Sequence, residues 1–192
     1  MTALSKESFL SPSEYLFQER AAETKSDYLN GIVVAMAGAK HRHNLVAGNL
    51  YFQIRNAFVD RPCIVYGSDM KVRIERANIF RYPDISALCG PIEFFDETED
   101  SFLNPQFIAE VLSDSTRQID RNEKFAEYRL IDSFTEYLLV EPDELMAQLH
   151  RKENGRWTSA DYASLDDEIH LESIDVTLNL SDVYAKVEFP AK

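Results

Sequence analysis

Two acidic side chains stand in stretches of the sequence that otherwise read as β-strands. Glu110 is the fourth residue of FIAEVL, residues 107–112, and Asp84 lies in IFRYPDISALC, residues 79–89. A carboxylate held near an apolar layer is unfavourable unless it is paired, protonated or bound to a metal. Two such acids on neighbouring strands would form a hard oxygen site suited to Mg²⁺ or Mn²⁺. The alternative is that each acid lies at a strand end and faces water.

Two further side chains leave similar alternatives open. His43 falls on the apolar side of a predicted helix over residues 41–59, where it is either a hydrogen-bonded core residue or part of a site. Lys124 follows Asp120 by four residues on a predicted helix over 116–132. The pair is therefore either a surface ion pair or turned inward, and two competing apolar stripes on this helix do not decide which.

Templates for other chemistry are absent from the sequence. Its six glycines include no closely spaced pair of the kind that forms a phosphate-binding loop. No serine or cysteine stands in a nucleophile motif, and the four histidines lack zinc-protease spacing. Cys63 and Cys89 form neither a disulfide framework nor a zinc spacing, so we interpret both as buried thiols.

Length and composition predict one globular domain over residues 1–192, because the chain is long enough to bury a sizeable core. No apolar run approaches the ~20 residues that span a bilayer, so we expect no membrane segment. The first fifteen residues lack the basic start and apolar core of a signal peptide. We therefore expect a cytoplasmic protein.

The net charge of −13 disfavours a protein that coats nucleic acid non-specifically, because phosphate backbones repel such a chain. The charge is unevenly spread, however. Residues 40–81 contain eight Lys or Arg and only three Asp or Glu. An enzyme with one basic surface is therefore compatible with the composition.

Hydrophobic patterns interleave helices with strands, which predicts an α/β fold with a mixed sheet covered by helices on both faces. A first helix is expected over residues 11–22 with Ser13 as its N-cap. Hairpins are expected at Asn30-Gly31 and Asn154-Gly155. The remaining expectations are strands within 63–76, 79–89, 107–112 and 135–142, an acidic loop over 91–105, and a tail with one strand and a short helix.

Four stretches carry a resemblance to a known family: DYLNGIVVAMAGAKHRHN, YPDIS, FIAEVLSDSTRQIDRNEKFAEYR and EYLLVEP. Together they resemble the Uma2 family of restriction endonuclease-like proteins, also called DUF820, within the PD-(D/E)xK nuclease superfamily. The likeness runs from about residue 11 to residue 184. It implies a restriction-endonuclease-like mixed β-sheet flanked by α-helices, with additional β-hairpins.

The resemblance also implies metal ligands and a catalytic lysine. Asp84 matches the P-D element and Glu110 the acid of the (D/E)xK element, so both would bind Mg²⁺ or Mn²⁺ together with the backbone carbonyl of Val111. Leu112 stands at the usual lysine position. In Uma2-like sequences the ammonium comes from the following helix, and Lys124 matches that position.

Three other residues receive roles from the same resemblance. Asp120 would be the acid that accompanies the lysine. His43 matches a family histidine that would bond a metal-bound water or orient Glu110. Asp27 stands where relatives have glutamate, and its shorter side chain leaves its role open.

The function implied is a metal-dependent endonuclease that acts on DNA, as a homodimer, with phosphate contacts from the basic segment 40–81. The alternative is a nuclease-fold module that binds nucleic acid or a protein partner without useful turnover. The net charge of −13 favours the module. The set of Asp84, Glu110 and Lys124 favours the enzyme.

Overall fold

A six-stranded mixed β-sheet lies at the centre of the structure, a computed structural model that describes residues 9–190. Residues 1–8, which belong to the segment compared with a signal peptide, and residues 191–192, at the end of the predicted domain, lie outside the described residues. In spatial order the strands are β11 (Arg156–Tyr162), β10 (Ala147–Glu153), β9 (Glu136–Val140), β8 (Phe107–Val111), β6 (Ile85–Cys89) and β3 (Cys63–Gly67).

A second sheet of five strands and a separate hairpin complete the β-structure of the described residues. The second sheet has the order β2 (Ile32–Ala35), β1 (Ser26–Leu29), β5 (Ile79–Arg81), β4 (Lys71–Ile74) and β7 (Ser101–Phe102). The hairpin pairs β12 (Glu168–Leu171) with β13 (Val176–Asn179).

The helices are α1 (Pro12–Glu19), α2 (His41–Ala57), α3 (Phe125–Tyr128) and α4 (Leu180–Val183). A 3₁₀ turn, Glu75–Ala77, joins β4 to β5, and a π-helical segment, Ile119–Lys124, runs directly into α3. The structure therefore has the predicted α/β class, with mixed sheets, flanking helices and additional hairpins.

The two faces of the six-stranded sheet support two hydrophobic cores. On β8, Phe107, Ala109 and Val111 pack into a core with α2, α4 and the β12–β13 hairpin. Ile108 and Leu112 project to the other face and pack with residues of the five-stranded sheet and α3. This alternation was expected from the sequence, and it places Glu110 on the second face.

Several predicted boundaries are wrong for local reasons. Ser11, not Ser13, caps α1: the Ser11 hydroxyl accepts from the Glu14 amide, and the Glu14 carboxylate accepts from the Ser11 amide at 2.7 Å. Pro12 then occupies the first helical turn, where a proline has no amide to leave unbonded.

Other elements are more numerous than expected. The stretch 63–76 forms two strands in different sheets, β3 and β4, and the acidic loop contains the short β7. The tail contains two strands rather than one. Strands this short contain too few alternating positions to be resolved by hydrophobic period.

The cysteines are not the buried thiols that we expected. Cys63 and Cys89 are half-buried and joined by a disulfide. They stand directly opposite each other in the antiparallel β3–β6 pair. Twenty-six residues separate them in the chain, so their proximity depends on strand pairing that the sequence did not reveal.

Within residues 9–190, no helix combines the length and the apolar character needed to cross a membrane.

Candidate active site

Strand pairing brings Asp84 and Glu110 together at one end of the six-stranded sheet. The antiparallel β6–β8 register pairs Ile85 with Ala109, so Asp84 just before β6 lies beside Glu110 of β8. The Asp84 carboxylate accepts a hydrogen bond from the Val111 amide at 2.8 Å. The Glu110 carboxylate accepts a longer one from the Asp84 amide at 3.4 Å. Each acid is thus held by the backbone of the opposite strand.

Lys124 and Tyr128 contact the same glutamate from the following helix. The Lys124 Nζ lies 3.0 Å from Glu110 Oε1, and the Tyr128 hydroxyl donates to the same oxygen at 3.0 Å. Lys124 Nζ also lies 2.8 Å from Asp120 Oδ1. The ammonium therefore lies between two carboxylates that are both almost fully buried.

The π-helical segment gives this result a local explanation. We assumed α-helical spacing for residues 116–132, but Ile119–Lys124 is π-helical, with a wider turn that is frequent at functional sites. Asp120 and Lys124 are buried, and the rival apolar stripe of Ile119, Ala126 and Leu130 is half-buried or exposed. The charged pair therefore faces inward and the surface alternative is wrong.

His43 extends from the first turn of α2 to the exposed side of this cluster. Its Nε2 lies 3.2 Å from Asp84 Oδ2, while its Nδ1 is buried with no hydrogen-bond partner among residues 9–190. Burial lowers the pKa of His43, but the hydrogen bond and charge of Asp84, with smaller effects of Val111 and Asp120, raise it overall. The imidazole is thus turned towards the acids and away from a purely apolar core.

The acids outnumber the cations in this cluster. Three carboxylates, those of Asp84, Glu110 and Asp120, face the Lys124 ammonium and the His43 imidazole. Burial raises the pKa of Glu110, as do Asp120 and Asp84, against the opposing effect of Lys124. The pKa of Lys124 is also raised, because the attraction of Glu110 and Asp120 outweighs burial. The lysine is therefore charged, and the cluster carries an excess of negative charge once Glu110 is deprotonated.

A second buried ion-pair network, which we did not predict, lies beside the first. The Arg81 guanidinium donates to Asp27 Oδ2 at 2.8 Å and to both carboxylate oxygens of Glu127, at 2.8 and 2.9 Å. The other oxygen of Asp27 accepts from the Tyr82 amide at 3.2 Å. Asp27 thus anchors the strand that leads to Asp84. A charged residue between Phe80 and Tyr82 was the available signal.

The basic segment 40–81 does not form one basic surface. Three of its cationic side chains are buried, those of Lys71, Arg73 and Arg81. Four more contact acids, in the pairs Lys40–Asp114, Arg42–Asp143, Arg61–Asp175 and Arg76–Asp132. Lys40 and Arg42, at the start of α2, are the members nearest in sequence to His43.

The side chains fit a hard divalent cation by charge and donor type. Asp84 and Glu110 offer carboxylate oxygens and Val111 a backbone carbonyl, which are the ligands that Mg²⁺ and Mn²⁺ favour. Burial, and then Asp120 and Asp84, raise the pKa of Glu110, and a bound cation would oppose that shift. Within the described part of the chain, however, no three His, Cys, Asp or Glu side chains group as a ligand set. The protein would thus supply two carboxylates and one carbonyl.

Comparison with solved structures identifies the class of fold. A crystal structure of a "putative nuclease belonging to DUF820" from Anabaena variabilis superposes with a TM-score of 0.74. The match covers 92% of this chain and 98% of that chain at 16% sequence identity. The fold is therefore nuclease-like.

Sequence comparison then gives the family. The model of the Uma2 family, described as "Putative restriction endonuclease", matches residues 12–181, and this chain belongs to that family. Two Synechocystis proteins are similar to it, both described as uncharacterized. One, sll1609, is 34% identical over 141 residues, covering 73% of this chain and 80% of the relative. The other, slr1290, is 30% identical over 182 residues, covering 94% of each.

Proposed function

We propose that this protein is a metal-dependent endonuclease that hydrolyses phosphodiester bonds in DNA. The observation that carries the proposal is the contact of Lys124 Nζ with Glu110 Oε1 at 3.0 Å, directly beside Asp84. A buried lysine, two strand-end carboxylates and a backbone carbonyl supply the groups that phosphodiester hydrolysis needs. Membership in a restriction endonuclease-like family supports the same reaction class.

Asp84, Glu110 and the Val111 carbonyl would hold Mg²⁺ or Mn²⁺. When bound, the ion would acidify water and neutralise charge on the phosphate. Asp84 is the more exposed of the two acids, with 19% of its side chain accessible against 3% for Glu110. Substrate therefore approaches from the side of Asp84 and His43.

Lys124 would stabilise negative charge as it develops on the phosphate oxygens, because its ammonium is fixed in place by two carboxylates. Asp120 acts as a positioning residue: it holds the lysine from the preceding turn. His43 would orient Asp84, to which its Nε2 is bonded, and its raised pKa favours the protonated donor. This differs from the expectation that it orients Glu110.

The wider proposal comprises one domain, a homodimer and a cytoplasmic location. The two largest hydrophobic cores share the six-stranded sheet, which supports a single domain. Enzymes that cut both strands of a duplex often pair two sites, which supports the homodimer. The Cys63–Cys89 disulfide weighs against a cytoplasmic location, since reducing compartments keep such thiols free.

A second candidate function is a nuclease-fold module that binds nucleic acid or a protein partner without turnover. The net charge of −13 favours it, and so does the pairing of surface cations such as Lys40 and Arg42 with acids. Both features weaken the electrostatic attraction to a phosphate backbone.

Cleavage of circular DNA separates the two candidates, because only the endonuclease would cut it. A circle also has no ends that a contaminating exonuclease could attack. Wild type with Mg²⁺ or Mn²⁺ should nick and linearise it, and Asp84→Asn, Glu110→Gln and Lys124→Met should each lower the rate by about 10²-fold or more. Asp69→Asn is the matched control, since the Asp69 side chain is 96% exposed and pairs with Lys25 rather than with a residue of the site.

Each outcome has a defined meaning. Equal cleavage by wild type and all three site variants would identify a contaminant and overturn the proposal. Binding of DNA or RNA by wild type without any metal-dependent cleavage would favour the module instead. Parallel assays on single-stranded DNA and on RNA test the choice of substrate.

A further inference from the structure

β2 is an edge strand whose apolar side chains are exposed in the described structure. Ile32, Val33 and Val34 are 46%, 42% and 43% accessible, and Ala35 is exposed as well. Soluble proteins usually protect such an edge with charged residues, prolines, bulges or a covering segment. From residue 31 to residue 39 the sequence contains no charged residue and no proline. The strand thus lacks these sequence safeguards.

The backbone of β2 presents hydrogen-bonding groups outward at Val33 and Ala35. The Met36 amide donates to the Lys25 carbonyl at 3.0 Å, and bonded pairs alternate with non-bonded pairs in an antiparallel ladder. Val34 therefore bonds inward to β1, while the amides and carbonyls of Val33 and Ala35 point away. Among residues 9–190 these outward groups have no hydrogen-bond partner. Another strand would satisfy all of them.

We propose that β2 is the dimer interface of this protein, and that its occupant is β2 of a second copy. The two strands pair antiparallel across a two-fold axis at Val34. This axis sets Val33 opposite the partner subunit's Ala35, so the outward amides and carbonyls bond reciprocally. The apolar side chains then cover one another, and the two five-stranded sheets become continuous.

Symmetry favours a second copy over an unrelated protein, and the absence of charge on β2 permits the contact. Two chains of net charge −13 repel, and an uncharged strip is a surface where they can approach closely. An antiparallel pair about a two-fold axis uses the same residues from both sides, so no second complementary surface is needed. The surface that a four-residue strand buries is small against the ~1,200–2,000 Å² of a standard interface, so the dimer should be a weak one.

The inference rests on the proposed function only for its expectation of a homodimer. β1 joins β2 to β5, the strand that ends at Arg81 just before Asp84. Pairing through β2 would therefore join the two subunits in one continuous sheet whose two β5 strands lead towards the Asp84 of each site. Cleavage and association are measured separately, so an active monomer would overturn this interface and leave the nuclease standing.

Sedimentation velocity of the full chain across a concentration series tests the association. Wild type should pass from monomer to dimer, and Val33→Lys should raise the dimer dissociation constant by about tenfold or more, because two ammonium groups meet near the axis. Val59→Lys is the matched control: the same substitution at a valine that is 65% exposed beyond α2. It should leave the dissociation constant unchanged.

A cross-link tests the register. Val34→Cys should form a disulfide with its own counterpart under oxidised glutathione, seen as a dimer on a non-reducing gel, because facing residues at the axis are close enough. Val59→Cys should stay monomeric. A wild type that is monomeric at every concentration, a Val33→Lys dimer as tight as wild type, or equal cross-linking at both positions would overturn the proposal.

Discussion

Replacing Lys124 by methionine tests the buried charge cluster without removing an acid. The substitution keeps an unbranched side chain but leaves Glu110 and Asp120, whose side chains are 3% and 2% exposed, without their shared cation. Removing one partner of a buried ion pair costs about 3–5 kcal/mol, because an uncompensated charge is left behind. We expect a loss of that size in the free energy of unfolding at alkaline pH.

The loss should shrink as the pH falls. Burial raises the pKa of Glu110 above its ordinary value of 4.5, and Lys124 opposes that shift, so the variant's pKa lies higher still. A carboxyl with a raised folded pKa binds more protons when folded, so its stabilising effect is lost as pH rises through that pKa. Protonated Glu110 needs no cation. Lys124→Met should therefore be nearer to wild type at about pH 5.5 than at about pH 8.5.

Urea unfolding of wild type and variant at both pH values measures this difference. Lys25→Met is the matched control, since Lys25 pairs with the 96% exposed Asp69. An exposed pair contributes about 0–1 kcal/mol, with little dependence on pH in this range. A Lys124→Met loss no larger than that of Lys25→Met, or one that is the same at both pH values, would refute the reasoning.

Two further predictions concern stability away from the site. Asp100→Asn should lower the free energy of unfolding by about 1 kcal/mol at neutral pH, less than the full pKa shift corresponds to, because solvent screens this partly exposed carboxylate. The loss arises because Arg20, and then Lys71, hold the pKa of Asp100 at about 2, below its ordinary 3.8. Because a depressed pKa stabilises above the unfolded value, the difference should fade as pH drops from 3.8 towards about 2. Replacing both Cys63 and Cys89 by serine should cost about 2–4 kcal/mol by freeing the unfolded chain.

Two measurements of the free energy of unfolding check these predictions. One compares Asp100→Asn with wild type across the acid pH range, and the other compares oxidised with reduced wild type. A difference between Asp100→Asn and wild type that stays constant across the acid range would contradict the first prediction. For the second, reduced wild type should match the double serine variant. Oxidised and reduced wild type of equal stability would contradict it.

The sequence predicted most of what depends on local pattern. Alternation along β8 placed Glu110 on the face of Ile108 and Leu112, and Asn30-Gly31 marked a real hairpin. Helical period also placed His43 on the inward side of α2, which is where it meets Asp84. Each of these features depends on neighbours within a few residues, so local patterns of apolar and turn residues are enough to predict it.

Contacts between segments that are distant in the sequence could not be predicted from hydrophobic periodicity. Arg81 joins Asp27 and Glu127, which lie 54 and 46 residues away, and no period links the three. The π-helical turn that turns Lys124 inward also has no hydrophobic signature. Its buried side includes the charged pair Asp120 and Lys124, and Lys124 is paired with Glu110 of a distant strand.

Binding of Mn²⁺ tests the central claim most directly, because the free ion has a paramagnetic resonance signal that falls when the protein takes it up. Titration of wild type should reveal saturable Mn²⁺ binding that Mg²⁺ displaces. Asp84→Asn and Glu110→Gln should each weaken it strongly, while Asp69→Asn should bind as wild type does. Equal Mn²⁺ binding by wild type and by the Asp84→Asn and Glu110→Gln variants would contradict a metal centre at these two carboxylates.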